Sequence, residues 1–269
     1  MKNKFEIRFG NQIIIPEIGK FPGGEIRVRI IGSVQEEILI VALLFNSDDV
    51  MSLIMLVDAA RGMGVRKIRL TMPYIPYARQ DRVCNIGESF SIRVFSKLIN
   101  SLGFASVLVF DPHSSVSVGE IDRCIVRNQW ELMAEHNELY NWICRGGDTK
   151  PMYLVSPDKG ATKKVLEIAK KFPQFDGIIY ADKERDLFTG NIIRTVVKEV
   201  PKDINDAKLL VADDIIDGGR TFIELAKVLR PLCAEMSLYA THGILSQGIK
   251  VFEPYYSNVW STITFSDYQ

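Results

Sequence analysis

The amino-acid sequence predicts an α/β protein built as two tandem domains, each a mainly parallel sheet flanked by helices. Three observations predict it. Short β-branched runs alternate with amphipathic stretches, the pattern of strand-helix-strand units. That series stops at a polar connection, Arg145-Gly146-Gly147-Asp148-Thr149-Lys150-Pro151, and then restarts. Finally, 269 residues with 47% apolar and 25% charged content suit one large domain or two medium ones with a sizeable core.

The elements follow in order. Glu37 to Leu43 reads as a buried strand, and Asn46-Ser47-Asp48-Asp49 as a helix cap. From Val50 to Arg61, Val50, Ile54, Val57 and Ala60 recur at helical spacing. Lys67 to Met72 is strand-like, Ser91 to Ser101 helical, and Ser106 to Phe110 a strand closing at Asp111-Pro112-His113. After the connection, Met152 to Val155 is a strand ending at Ser156-Pro157-Asp158, followed by a helix from Ala161 to Lys171. Gly177 to Ala181 and Lys208 to Ala212 are further strands, Thr221 to Leu229 a helix, and Met236 to Ala240 a strand. The boundary lies between Arg127 and Pro151 and is drawn as residues 1–135 and 136–257. The last strand-like piece, Ser257 to Phe265, fits either domain, and residues 258–269 are drawn as returning to the first.

Composition excludes several function classes. Lys plus Arg (33) balances Asp plus Glu (33), so no bulk field advertises nucleic acid or a membrane surface. Anion binding must be local. The longest apolar run, Ile38 to Phe45, is far short of the roughly 20 residues of a membrane span. The start, Met1 to Glu6, lacks the apolar core of a signal peptide. Four scattered cysteines (Cys84, Cys124, Cys144, Cys233) without a C-x-x-C pair suit reduced thiols, hence a cytoplasmic location.

The most informative stretch is Val211-Ala212-Asp213-Asp214-Ile215-Ile216-Asp217-Gly218-Gly219-Arg220-Thr221. A buried strand delivers two adjacent carboxylates to its C-terminal end, where open α/β sheets bind ligands. Glycines then let backbone N–H groups turn toward an anion at a helix N-terminus, a phosphate cradle. Arg220 and the Thr221 hydroxyl add donors, and the acids suit the cis-diol of a sugar. Phosphate at one end and diol at the other describes a ribose 5-phosphate site. The bland alternative is an Asp-rich helix cap. Two acids, a third four positions after the first, and Gly-Gly-Arg-Thr argue against it, and no G-x-x-x-x-G-K-[ST] loop exists in the chain.

This stretch resembles the phosphoribosyl diphosphate loop of type I phosphoribosyltransferases and, more closely, that of ribose-phosphate diphosphokinases, which join two such domains in tandem. The resemblance runs over nearly the whole chain: Phe21 to Glu25, Met72 to Arg82, Asp111-Pro112-His113, Val155 to Asp158, Ala181 to Arg185 and Thr241-His242-Gly243 fall in that family's order. Pro73-Tyr74-Ile75-Pro76-Tyr77-Ala78-Arg79-Gln80-Asp81-Arg82 is its most specific string. The resemblance implies transfer of the diphosphoryl group of ATP to the 1-hydroxyl of ribose 5-phosphate, with Mg²⁺ as cofactor and a homo-oligomer, dimer or hexamer. It implies metal contacts from His113 and Asp158, a catalytic pair in Lys183 and Arg185 on a closing loop from Glu184 to Ile192, and ATP contacts from Phe21, Glu25, Arg79, Gln80 and Asp81. It assigns ribose 5-phosphate to Asp213, Asp214, Asp217, Gly218, Gly219, Arg220 and Thr221.

Three departures stand out. Pro22-Gly23 replaces a Ser followed by Asn or Asp in the adenine loop, removing a side-chain partner for the base. Ser114 to Glu120 replaces a Gln-Ile-Gln-Gly-Phe-Phe-like stretch that serves subunit contacts and regulation. Asp217 to Thr221 replaces Asp-Thr-x-Gly-Thr, losing a hydroxyl and gaining a cation, and phosphate binding is expected to survive on backbone N–H groups. The chain is also shorter than typical members, which implies trimmed regulatory elements. Two rivals remain: a phosphoribosyltransferase, and a non-catalytic member that binds sugar phosphate and regulates synthesis.

Overall fold

A computed structural model describes residues 2–144, 150–185, 192–197 and 199–268, with backbone alone for 183–185 and 192–195. Contacts divide the chain into two units: Met1–Arg127 with Asp267–Gln269, and Asn128–Ser266.

The first unit runs β1 (Phe5–Phe9), β2 (Gln12–Ile14), β3 (Glu17–Lys20), β4 (Ile26–Arg29), β5 (Glu37–Ala42), α1 (Ser47–Gly62), β6 (Lys67–Thr71), α2 (Ser91–Ser101), β7 (Ser106–Phe110), α3 (Ser115–Glu120) and β8 (Cys124–Arg127). Its sheet has the order β2-β1-β5-β6-β7-β8, and β3 with β4 forms a separate hairpin. From β5 to β8 all pairings are parallel, while β1 joins both β2 and β5 antiparallel. Helix α1 starts where the Asn46 side chain accepts from the Asp49 N–H, which satisfies one of the orphan donors of the first turn. Helix α2 buries Ile92, Phe95 and Ile99 on one stripe; each such side chain contributes about 1.5–3 kcal/mol through burial.

The second unit runs α4 (Gln129–Glu135), α5 (Asn137–Ile143), β9 (Met152–Ser156), α6 (Thr162–Lys171), β10 (Gly177–Arg185), β11 (Ile192–Val197), β12 (Lys208–Ile216), α7 (Arg220–Leu229), β13 (Glu235–Gly243) and β14 (Asn258–Thr264). The sheet order is β11-β10-β9-β12-β13-β14, parallel except for β10 with β11. The apolar run in β12 is unbroken because both faces are covered. Leu209 and Val211 join one core cluster with Leu225 and Phe222 of α7, and Leu210 and Ala212 join the other with Val165 and Ile168 of α6.

Contacts place two features that the sequence left open. The division falls at Arg127/Asn128, at the near end of the allowed range and ahead of the drawn 135/136, because α4 belongs to the second core through the buried Met133. The signal was present: the Asn128 N–H donates to Glu131 Oε2 (2.7 Å), a capping-box contact that starts a helix there. Residues 258–264 do not return to the first unit. They pair with β13 from Ser237↔Asn258 to Gly243↔Thr264, and only Asp267 onward clusters with the first unit, where Lys2 Nζ meets Asp267 Oδ2 at 2.9 Å. The strands not anticipated, β1 to β4, β8 and β11, are short edge or hairpin pieces, and the helices not anticipated, α3 to α5, have six or seven residues each.

Candidate functional site

In the second unit, β9 stops pairing with β12 at Val155↔Val211, while β12 continues beside β13 to Ile216↔Gly243. Asp213 and Asp214 therefore stand inside the overhanging part of β12, not at its end as the sequence suggested, because the strand runs two residues past Asp214 to Ile216. Asp213 is half-buried, Asp214 is buried, and the Asp214 N–H donates to Asp213 Oδ1 at 2.9 Å. Burial pushes the Asp213 carboxyl well above the usual range; the charge of Asp214, a hydrogen bond with its side chain and the charge of Asp158 add to the shift. The three acids thus share one electrostatic site. Lys164 of α6 answers part of it, with Nζ 3.4 Å from Asp214 Oδ2.

The turn after β12 is conformationally committed. Gly219 has φ +79° and caps α7 from the left-handed region, and a Cβ placed on it would stand 2.6 Å from Phe252 Cζ. Only glycine fits both restrictions. Helix α7 begins at Arg220, one residue earlier than expected, so its first-turn N–H groups face the side where Asp217, Gly218 and Gly219 turn. Arg220 is exposed and Thr221 half-buried. The turn resembles an anion cradle in backbone terms.

Asp158 sits at the end of β9, half-buried. Its Oδ1 accepts from the Ala161 N–H at 3.1 Å and its carbonyl accepts from Ser156 Oγ at 2.8 Å, so it also shapes the entry to α6. Lys183 and Arg185 lie on the backbone of β10, opposite Thr195 and Ile192 of β11, with a register irregularity between Glu184 and Arg185. The strand outlasts the Ala181 end expected for it, so Glu184 and Arg185 are strand and not loop. Residues 186–191 of the expected loop, including Gly190 and Asn191, lie outside the described residues, and Ile192 opens β11.

In the first unit, Phe21 and Glu25 occupy the β3–β4 hairpin, where the Phe21 N–H donates to the Glu25 carbonyl at 2.9 Å. Phe21 is 50% exposed, with the Arg27 guanidinium 5.9 Å from its ring centroid, so it is no core aromatic. Arg79 and Gln80 are exposed after β6, and Gln80 accepts from Ser91 at the start of α2. Asp81 is buried and its Oδ1 takes the Arg82 Nε–H at 2.9 Å. That hydrogen bond holds the Asp81 carboxyl below the usual range against the opposing pull of desolvation, helped by the Ser114 hydroxyl and by charge at His113. His113 is exposed beyond β7, after Asp111, which has φ +39°. The divergent Ser114 to Glu120 segment forms α3, tied to α2 by Arg93 Nε and Glu120 Oε1 at 3.3 Å.

Each unit thus assembles its own group: Asp158, Asp213, Asp214 and the glycine turn in the second, Arg79, Gln80, Asp81 and His113 in the first. Among the described residues no set of three or more His, Cys, Asp or Glu is disposed to hold a metal ion by itself. Sequence reasoning missed Lys164 and Gln129. The latter donates from Nε2 to the Asp213 carbonyl, and neither residue carries a motif, only proximity. No helix among the described residues is long and apolar enough to cross a membrane.

Comparison with other proteins follows the same lines. Residues 3–103 match the model of the N-terminal domain of ribose phosphate pyrophosphokinase. Ribose-phosphate pyrophosphokinase of Pyrococcus abyssi is 33% identical over 243 residues, covering 90% of this chain and 80% of its own. That of Pyrococcus furiosus is 30% identical over 245 residues, covering 90% and 83%. Among solved structures, phosphoribosylpyrophosphate synthetase from Mycobacterium smegmatis shares the fold, with TM-score 0.71 and 23% identity over 86% of this chain and 73% of that one. A doubled parallel-rich sheet, an acid pair followed by a glycine turn, and relatives matched across both units lead to one conclusion: the chain belongs to the ribose-phosphate pyrophosphokinase family.

Proposed function

We propose that this chain transfers the diphosphoryl group of ATP to the 1-hydroxyl of ribose 5-phosphate, releasing AMP, and that it does so with Mg²⁺. The observation that carries this reading is the Asp213–Asp214 pair leading into a turn whose Gly219 is locked in the left-handed region at the N-terminus of α7. The pair accepts hydrogen bonds from the sugar diol, and backbone N–H groups at the turn, with Arg220 and Thr221, bind the 5-phosphate. The sugar is thereby fixed in orientation before reaction, which removes much of the entropic barrier.

ATP is assigned to the first unit. Phe21, exposed on its hairpin, offers a face for the base, Glu25 stands beside it, and Arg79, Gln80 and Asp81 meet the polyphosphate side. A stacking residue at an exposed hairpin tip suits a base shared between subunits, so a homo-oligomer is part of the proposal. Lys183 and Arg185 supply positive charge to the diphosphoryl group as it moves, and such charge matters most in the transition state.

The donor set fits Mg²⁺, a hard ion that binds through one or two carboxylates and substrate oxygens. The mutual repulsion among Asp158, Asp213 and Asp214 is what a divalent cation relieves. Asp158 in the second unit and His113 in the first are each a candidate contact, direct or through water, and when bound the ion would neutralise phosphate charge. The test is direct. Protein mixed with Mg²⁺, ATP and ribose 5-phosphate should release AMP only when all three are present. Absence of AMP above background would overturn the assignment in favour of a sugar-phosphate-binding regulator.

A further inference from the structure

The overhang of β12 leaves a backbone problem next to the acid pair. Beyond Val211, strand β9 no longer supplies hydrogen-bond partners on that edge, yet β12 runs on through Asp213 within a packed domain. A carbonyl there must be answered by something other than the sheet. The answer is Gln129, the first residue of α4, 3% exposed, whose Nε2 donates to the Asp213 carbonyl oxygen. The orientation of the amide is forced, because a carbonyl only accepts. Its other end, Oε1, is then buried without a hydrogen-bond partner among the described residues.

This is a costly choice for a core position. An apolar side chain of the same length would remove the orphan Oε1 but leave the Asp213 carbonyl unanswered, and buried polar groups are normally satisfied. The residue is also held deliberately. The Asn128 N–H and Nδ2 both donate to Glu131 Oε2, at 2.7 and 3.1 Å, which pins the first turn of α4 and with it the Gln129 side chain.

We infer that Gln129 is a positioning residue for the sugar-phosphate site: it stands in for the missing strand partner of β12 and fixes where the Asp213–Asp214 carboxylates are presented. The inference rests on the assignment of that pair to the ribose hydroxyls. Gln129 touches neither substrate; it acts through the backbone of Asp213.

The decisive variant is Gln129→Met, which keeps the volume, removes the donor and removes the orphan acceptor. The Michaelis constant for ribose 5-phosphate should rise about five- to tenfold, the loss of one hydrogen bond's worth of positioning. Turnover and the Michaelis constant for ATP should stay within about twofold, and the thermal midpoint should move little, since one unsatisfied group replaces another. A ribose 5-phosphate constant unchanged in the folded variant overturns the inference, as does a fall in thermal midpoint with unaltered kinetics. Should the variant not fold, the wild-type protein labelled with ¹⁵N-glutamine decides. The Gln129 side-chain N–H signals should exchange slowly and shift when ribose 5-phosphate is added, and signals that do not move overturn it. Failure of the parent reading looks different: the wild-type then releases no AMP, while the same ribose 5-phosphate titration still judges Gln129.

Discussion

The two ligand-directed regions of this molecule are built in opposite ways. In the second unit the acid pair hangs from a strand buried on both faces and runs into a glycine whose backbone and neighbour, Phe252, allow no other residue. In the first unit most of the corresponding groups are exposed side chains, Phe21 on a two-stranded hairpin and Arg79 and Gln80 between β6 and α2, with Asp81 buried beside them. Under the proposed assignment, the site for a small, rigid sugar phosphate is preformed by the core. Under the same proposal, the site for a longer, flexible nucleotide consists mainly of exposed side chains, whose ordering on binding would carry an entropic cost.

The largest effect expected lies outside both groups. Lys183→Ala should lower turnover by roughly 10³-fold or more while leaving ribose 5-phosphate affinity nearly unchanged, since its charge matters in the transition state. Affinity lost with normal turnover, read by single-turnover kinetics and calorimetry, would contradict that role.

Gly219→Ala tests whether the second region is rigid. It should destabilise the protein by about 2–4 kcal/mol through backbone strain and the clash with Phe252, and abolish measurable ribose 5-phosphate binding. Phe252→Leu added to it should recover part of the stability but not the binding, because the φ penalty remains. A stability loss below about 0.5 kcal/mol in denaturant titration would show the turn to be adaptable.

Phe21→Ala tests the other side. The Michaelis constant for ATP should rise about tenfold, from the loss of one base-stacking contact, with stability unchanged within about 0.5 kcal/mol. A clear drop in thermal midpoint would mean that the hairpin tip is structural after all.

The smallest effect is the most specific. The Asp213 carboxyl is raised in the folded state, so the fold favours its protonated form. Its contribution is therefore intact below the ordinary carboxylate range, near pH 4, and is lost as pH rises through the raised folded value. Without metal or ligand, Asp213→Asn should be more stable than the wild-type at pH 8, and the gap in thermal midpoint should close toward pH 4. A gap that is constant with pH would show that burial and the neighbouring acids do not tax this carboxylate.

How legible was all this? Helix α2 and strand β7 stand where periodicity placed them, because Ile92, Phe95 and Ile99 follow a helical stripe and Ser106 to Phe110 a strand pattern. Strands β10 and β12 run past their expected ends. Asp, Lys and Glu look like turn residues in isolation, and what keeps them extended is a partner, β11 for one and β13 for the other. The acid–glycine string proposed to bind ribose 5-phosphate was legible in the sequence. Lys164 and Gln129 were not, since nothing in the chain links position 129 to position 213 except the fold.

By itself the sequence determined the class of fold, the doubling of the domain and the order of the acid and glycine motifs, because periodicity and local turn chemistry are properties of neighbouring residues. Only tertiary structure decided where the first unit ends, which sheet takes β14, how far β12 overhangs β9 and what answers its open edge. Those outcomes depend on which distant groups can bury apolar surface and pair backbone donors together, and that competition is settled in three dimensions.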